Sequence, residues 1–197
     1  ILFCIMALLG GFISPYSPYK PVLKERFMPP FWEDGGTLAH PIGTDSLGRD
    51  ILTRIMVGAR ISFTVALLSL ALGGFLGTVI GIASGFLGGW VDALLMRITD
   101  TALALPVILL ALILAVTLGP SLTNIVLAVA FVIWARYSRI IRAEILALRE
   151  QDFIAQSRVI GCSSLRIMMR HLFPHIVNTL IVLLTLQVGW VIIVESS

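Results

Sequence analysis

Residues 61–83 read Ile-Ser-Phe-Thr-Val-Ala-Leu-Leu-Ser-Leu-Ala-Leu-Gly-Gly-Phe-Leu-Gly-Thr-Val-Ile-Gly-Ile-Ala, without one charged side chain. A helix needs roughly 20 mostly apolar residues to cross about 30 Å of hydrocarbon, and this run supplies them. The rest of the chain has the same character: 197 residues, 58% hydrophobic and 13% charged, with a mean hydropathy of +1.00. Soluble domains carry about 45–50% apolar and about 25% charged residues, and an apolar excess cannot all hide in one core beneath a polar coat. The composition excludes a soluble enzyme, a disordered chain and a secreted disulfide scaffold. It predicts an all-α, polytopic transmembrane helix bundle.

Outward from this run, four further stretches read as spans: 1–13 (partial), 101–118, 122–135 and 176–194. We read residues 1–197 as a single transmembrane domain and as a fragment truncated at both ends. It opens inside an apolar run and stops at Glu195-Ser196-Ser197. Two long polar connections separate the spans. Residues 14–60 begin as irregular chain rich in proline and glycine (Pro15, Pro18, Pro21, Pro29, Pro30, Gly35, Gly36) and end, from Ser46 to Arg60, as a helix entering the second span. Residues 136–175 form the other. Alternation puts 14–60 and 119–121 on one face of the membrane, and 84–100 and 136–175 on the opposite face. The second pair holds Arg97, Arg136, Arg139, Arg142, Arg149, Arg158, Arg166 and Arg170, which favours that side as cytoplasmic.

Gly73, Gly77, Gly81 and Gly85 recur every four residues, so they share one helix face where a neighbouring backbone can come close. That spacing predicts helix packing, with a glycine face that slides against its neighbour as the sharper alternative. Several chemistries have no residues to support them. The only lysines, Lys20 and Lys24, precede Pro21 and Glu25, so no phosphate-binding Gly-Lys-Ser/Thr loop exists. No His-Glu-x-x-His or Gly-x-Ser-x-Gly motif occurs. Cys4 and Cys162 have no partner at disulfide or metal spacing. His171 and His175 stand four apart with Pro174 between them, and His40 lies across the membrane, so no metal site is expected. The complete spans hold no central Asp, Glu or His as a proton relay, with Asp100 and Glu195 at span edges as interfacial caps or turns. Despite a pI of about 9.2, the basic residues form no single face interleaved with aromatics, which speaks against nucleic acid. No cofactor is expected on this chain.

Within 136–175, Ile140, Ile141, Ile145, Leu148, Phe153, Ile154, Ile160, Leu165, Met168, Met169 and Leu172 fall at helical intervals among the arginines. Gly161 is placed to end one helix in a left-handed turn, and Ser163 or Ser164 to cap the next. Pro174 disfavours helix at Phe173 and marks the entry to the last span. The pattern predicts a helix, a glycine turn and a second helix lying under the membrane. Such a segment suits either a loop resting on anionic lipid or a docking element for a cytoplasmic protein.

From Ala155-Gln156-Ser157 through Gly161 to Phe173-Pro174, this segment resembles the "EAA" loop in permease subunits of bacterial ABC importers. Three further stretches are similar to the dipeptide/oligopeptide/nickel branch and its second permease subunit. They are Gly43-Thr-Asp-Ser-Leu-Gly-Arg-Asp50 with Gly58-Ala-Arg-Ile-Ser62, Met96-Arg-Ile-Thr-Asp100 with Pro106, and Leu148-Arg-Glu150. The resemblance covers the chain from His40 onward. It implies a type I importer permease with six spans when complete, and ATPase docking through Ala155, Gln156, Ser157, Arg158, Gly161, Ser163 and Pro174. Its implied partners are a paralogous permease subunit, two cytoplasmic ATPase subunits that use the ATP, an extracytoplasmic substrate-binding protein and membrane lipid. The family's motif opens Glu-Ala-Ala where this chain has Ala155-Gln156-Ser157, leaving Asp152 or Glu150 to stand in for the carboxylate. The rival readings are a membrane-embedded enzyme or proton-coupled carrier whose active residues lie outside the fragment, and a passive channel. Nothing in the spans selects among dipeptide, oligopeptide, nickel and glutathione.

Overall fold

The computed structural model describes residues 16–104, 106, 109, 113, 114, 116, 117, 119 and 121–195. The expected partial span 1–13, and much of 101–118, lie outside the described residues. The helices are α1 (Ile51–Leu87), α2 (Gly89–Ala104), α3 (Leu122–Arg149), α4 (Asp152–Val159), α5 (Ser164–Ile167) and α6 (Phe173–Glu195). Among the described residues, three helical runs are long and apolar enough to cross a membrane: Ile51–Leu87, Leu122–Arg149 and Ser164–Ile193. Among the described residues there is no strand, only an isolated bridge between Thr44 and Asp50. The chain divides after Thr64 into two compact units.

The first unit is held by turns and caps. Gly43 and Gly48 adopt left-handed φ of +82° and +72°, and a Cβ on either would collide with a backbone carbonyl, that of Met28 or Val22. Between them the Asp45 carboxylate accepts from the Leu47 and Arg49 amides (2.9 and 3.0 Å) and from the Arg49 and Arg54 guanidinium groups (2.9 and 2.6 Å). The Arg49 amide leads the donors that hold its carboxyl well below the usual range, against the opposing cost of desolvation. The helix therefore starts later than Ser46. Residues 46–50 form this turn, and the Asp50 carboxylate caps α1 by accepting from the Thr53 amide at 2.7 Å. Buried His40 contacts Asp50 through Nδ1 (3.1 Å) and Glu25 through Nε2 (3.3 Å).

In the second unit the four glycines of α1 lie against α3. A Cβ on Gly73 would meet the Ala130 carbonyl at 2.8 Å, one on Gly77 would strike the Trp134 carbonyl and Tyr137 Cβ, one on Gly81 would meet Ser138 and Ile141, and one on Gly85 Arg142 and Ile145. One turn earlier, Ser69 donates its hydroxyl to the Val126 carbonyl at 3.3 Å. Small residues every fourth position thus face backbone every fourth position, with both helices running in the same direction. Apolar side chains flank the ladder: Ala66, Leu70, Val129, Ile133, Tyr137 and Val191 in one cluster, and Ile82, Phe86, Ile141, Ile145, Ile154, Ile167, Leu172 and Ile176 in another.

Residues 84–100 are mostly helix, turned by Gly88 and Gly89 at φ +66° and +54°. Two boundaries differ from the sequence reading. The fourth apolar run, read as 122–135, belongs to a helix continuing to Arg149: no breaker interrupts it, and Arg139, Arg142 and Arg149 find acceptors on other helices. Pro174 does not interrupt helix at Phe173, whose φ and ψ are −55° and −46°. A π-turn over Met168–Leu172 precedes it, with the Phe173 amide donating to the Met168 carbonyl, so the chain widens by a residue where proline lacks its donor.

Candidate functional site

The connection between α3 and α6 is an ordered helix–turn–helix. Helix α4 closes with paired bonds: the Gly161 amide donates to the Arg158 carbonyl and the Cys162 amide to the Ser157 carbonyl, both at 3.0 Å. This closure needs a left-handed residue, and Gly161 has φ +83°. Ser163 then caps α5, its hydroxyl accepting from the Arg166 amide at 3.4 Å.

The two faces of α4 differ. Ile154 is fully buried, and Ser157 is buried with its hydroxyl donating to the Phe153 carbonyl at 2.7 Å. Ala155, Gln156, Arg158 and the turn at Gly161 are exposed, as are Ser163 and Pro174. The most prominent apolar side chains are Val159 and Ile160, at 88% and 81% exposure. Exposed β-branched residues at a fixed turn make a projecting apolar tip, a shape that fits a groove in another surface.

Two contacts tie α4 to the helices around it. The Arg158 guanidinium lies 5.2 Å from the centroid of the Phe86 ring at the end of α1. The Phe153 ring stacks on His175 of α6, with centroids 4.9 Å apart and planes 13° from parallel. His175 Nδ1 sits 2.6 Å from the His171 carbonyl, so these two histidines are joined through backbone. Glu150 pairs with Arg149 at 3.1 Å, and Asp152 stands exposed in the first turn of α4.

The sequence reading missed a polar seam beside this loop. Asp92 of α2 accepts from Arg142 Nε and Nη2, both at 2.6 Å, and from the Ser84 hydroxyl. The Arg142 bonds lead in holding its carboxyl below the usual range, against desolvation. Asp100 pairs with Arg139, an ion pair rather than a helix cap. Arg149 donates to the Gly85 carbonyl at 3.1 Å. Thr179 of α6 donates to Glu144 at 2.9 Å. The available signal was acidic residues on α2 with arginines on α3, though linear spacing does not pair them.

Residues 77–196 match the family described as binding-protein-dependent transport system inner membrane component. The chain belongs to that family. This inner membrane component is 36% identical over 193 residues to the dipeptide transport system permease protein of Haemophilus influenzae, covering 96% of the chain and 64% of the relative. It is 34% identical over 192 residues to the dipeptide transport system permease protein of Bacillus subtilis, covering 98% and 58%. It is 36% identical over 197 residues to the glutathione transport system permease protein of Escherichia coli, covering 100% and 63%. The inner membrane component therefore spans 58–64% of the length of these relatives.

Proposed function

We propose that this chain is a permease subunit of an ATP-driven importer, lying in the bacterial cytoplasmic membrane and forming with a paralogous subunit the path for peptides or a related small solute. The printed names of its relatives, dipeptide and glutathione permeases, support that substrate range. In this reading residues 14–60 are extracytoplasmic and receive substrate from a binding protein, while the 136–175 connection is cytoplasmic. The chain itself binds no nucleotide; two ATPase subunits supply the energy.

The observation that carries the proposal is the apolar tip at Val159 and Ile160, held by the left-handed Gly161 and anchored from behind by Ile154, Phe153 and Arg158. In the mechanism, ATP draws the ATPase pair together, the docked α4 elements follow, and the path switches from inward-open to outward-open. Energy enters because the docked loop binds differently in the two states. Valine at position 161 loses about 1–2 kcal/mol in the left-handed conformation, so Gly161→Val lowers both uptake and ATPase association roughly tenfold. Uptake that fell while the ATPase remained bound and normally stimulated would refute the docking role.

A further inference from the structure

Asp92 gathers three donors from two other helical segments at one carboxylate. Arg142 approaches it side-on with both Nε and Nη2 at 2.6 Å, and the fully buried Ser84 adds its hydroxyl from the last turn of α1. The turn it spans is built on two successive left-handed glycines, Gly88 and Gly89, which by themselves fix the α1–α2 angle weakly. Arg149 of α3 binds the Gly85 carbonyl on the α1 side of the same turn. The corner is thus fastened to α3 on both flanks.

The docking helix bears on this corner. Phe86, one turn before Gly89, is 7% exposed and takes the Arg158 guanidinium over its ring. Ile154 of α4 lies in the same apolar cluster as Ile82, Phe86, Ile141 and Ile145. A displacement of α4 meets α1 and α3 together when Asp92 holds them, and meets a loose α1 terminus when it does not.

We propose that Asp92 is a positioning residue for transport: by joining Ser84 and Arg142 it makes the α1–α2 corner the fixed seat that receives the movement of α4. This rests on α4 being the ATPase-docking helix. Asp92 lies off the exposed tip, so its loss uncouples without undocking.

The test uses the complete importer in proteoliposomes. Asp92→Asn leaves ATPase subunits co-purifying as with the unaltered chain, while ATP-driven uptake falls about tenfold or more, the scale of a lost charge-assisted hydrogen bond. Arg142→Lys, which cannot bridge both carboxylate oxygens, moves uptake the same way, and Asp92→Glu recovers part of it. The inference is overturned by uptake in Asp92→Asn within about twofold of the unaltered importer. It is equally overturned if ATPase co-purification or the thermal midpoint collapses in both Asp92→Asn and Arg142→Lys, which marks a scaffold contact alone. Failure of the docking reading looks different: Gly161→Val then keeps its ATPase whatever Asp92 does.

Discussion

Replacing Gly77 by alanine tests the ladder between α1 and α3 most directly. In an open helix the change is favourable, since alanine exceeds glycine by about 0.8–1.0 kcal/mol in helix propensity. Gly58 provides that reference on the same helix, because a Cβ there meets nothing within 4 Å. At Gly77 the added carbon lands on the Trp134 carbonyl, 2.5 Å from Tyr137 Cβ and 3.0 Å from the Ser138 amide nitrogen. These are backbone and first side-chain atoms, so no flexible end can swing aside and the helices must part. Forced overpacking costs about 1–3 kcal/mol, and separating α1 from α3 also gives up contacts at the neighbouring rungs. The net expectation is a loss of about 1–2 kcal/mol for Gly77→Ala against a gain of up to about 1 kcal/mol for Gly58→Ala. Unfolding in mixed micelles by added dodecyl sulfate, followed by far-ultraviolet circular dichroism, reads both variants on one scale. A Gly77→Ala protein as stable as Gly58→Ala would show that the glycine face is not where the helices meet.

Two further outcomes follow. Gly48→Ala places a Cβ at φ +72° and on the Val22 carbonyl, so it lowers the stability of the 16–50 region by about 1–2 kcal/mol or more, read as faster amide exchange at Val22 and Phe27. On acidification, Asp92 and Asp45 act together. Both carboxyls are depressed in the folded chain, so their stabilisation is present above the unfolded carboxylate range and is lost as pH falls through the lower folded values. Protection of the amides at both turns therefore begins to fall as pH drops through the ordinary carboxylate range and goes on falling down to the lower folded values; protection that did not change over this descent would contradict the depressed values.

The apolar runs and the glycine period were legible because both depend on spacing along one helix. Gly161 and Ser163 were legible for a related reason: turn and cap chemistry is local. What escaped the sequence depends on groups distant in the chain. Leu122–Ala135 reads as short because Arg136, Arg139 and Arg142 follow the apolar run, yet the latter two are paired by Asp100 and Asp92 on α2. Pro174 looked like a boundary because its own donor is missing, while the remedy lies upstream in the wide turn at Met168–Leu172. Asp100 read as a cap for want of a visible partner 39 residues away. The seam at Asp92 was hidden by the same separation.

The ladder has a property that its stability alone does not reveal. Ser69, Gly73, Gly77, Gly81 and Gly85 meet Val126, Ala130, Trp134, Ser138 and Arg142 with one constant offset. Advancing one rod past the other by a single four-residue rung, about 6 Å, re-seats small residues opposite equivalent backbone. The helix pair is translationally degenerate along its length, like two combs of equal pitch. The Asp92–Arg142 and Arg149–Gly85 bonds at one end carry no such repeat, so they act as the index mark that selects one setting from the series.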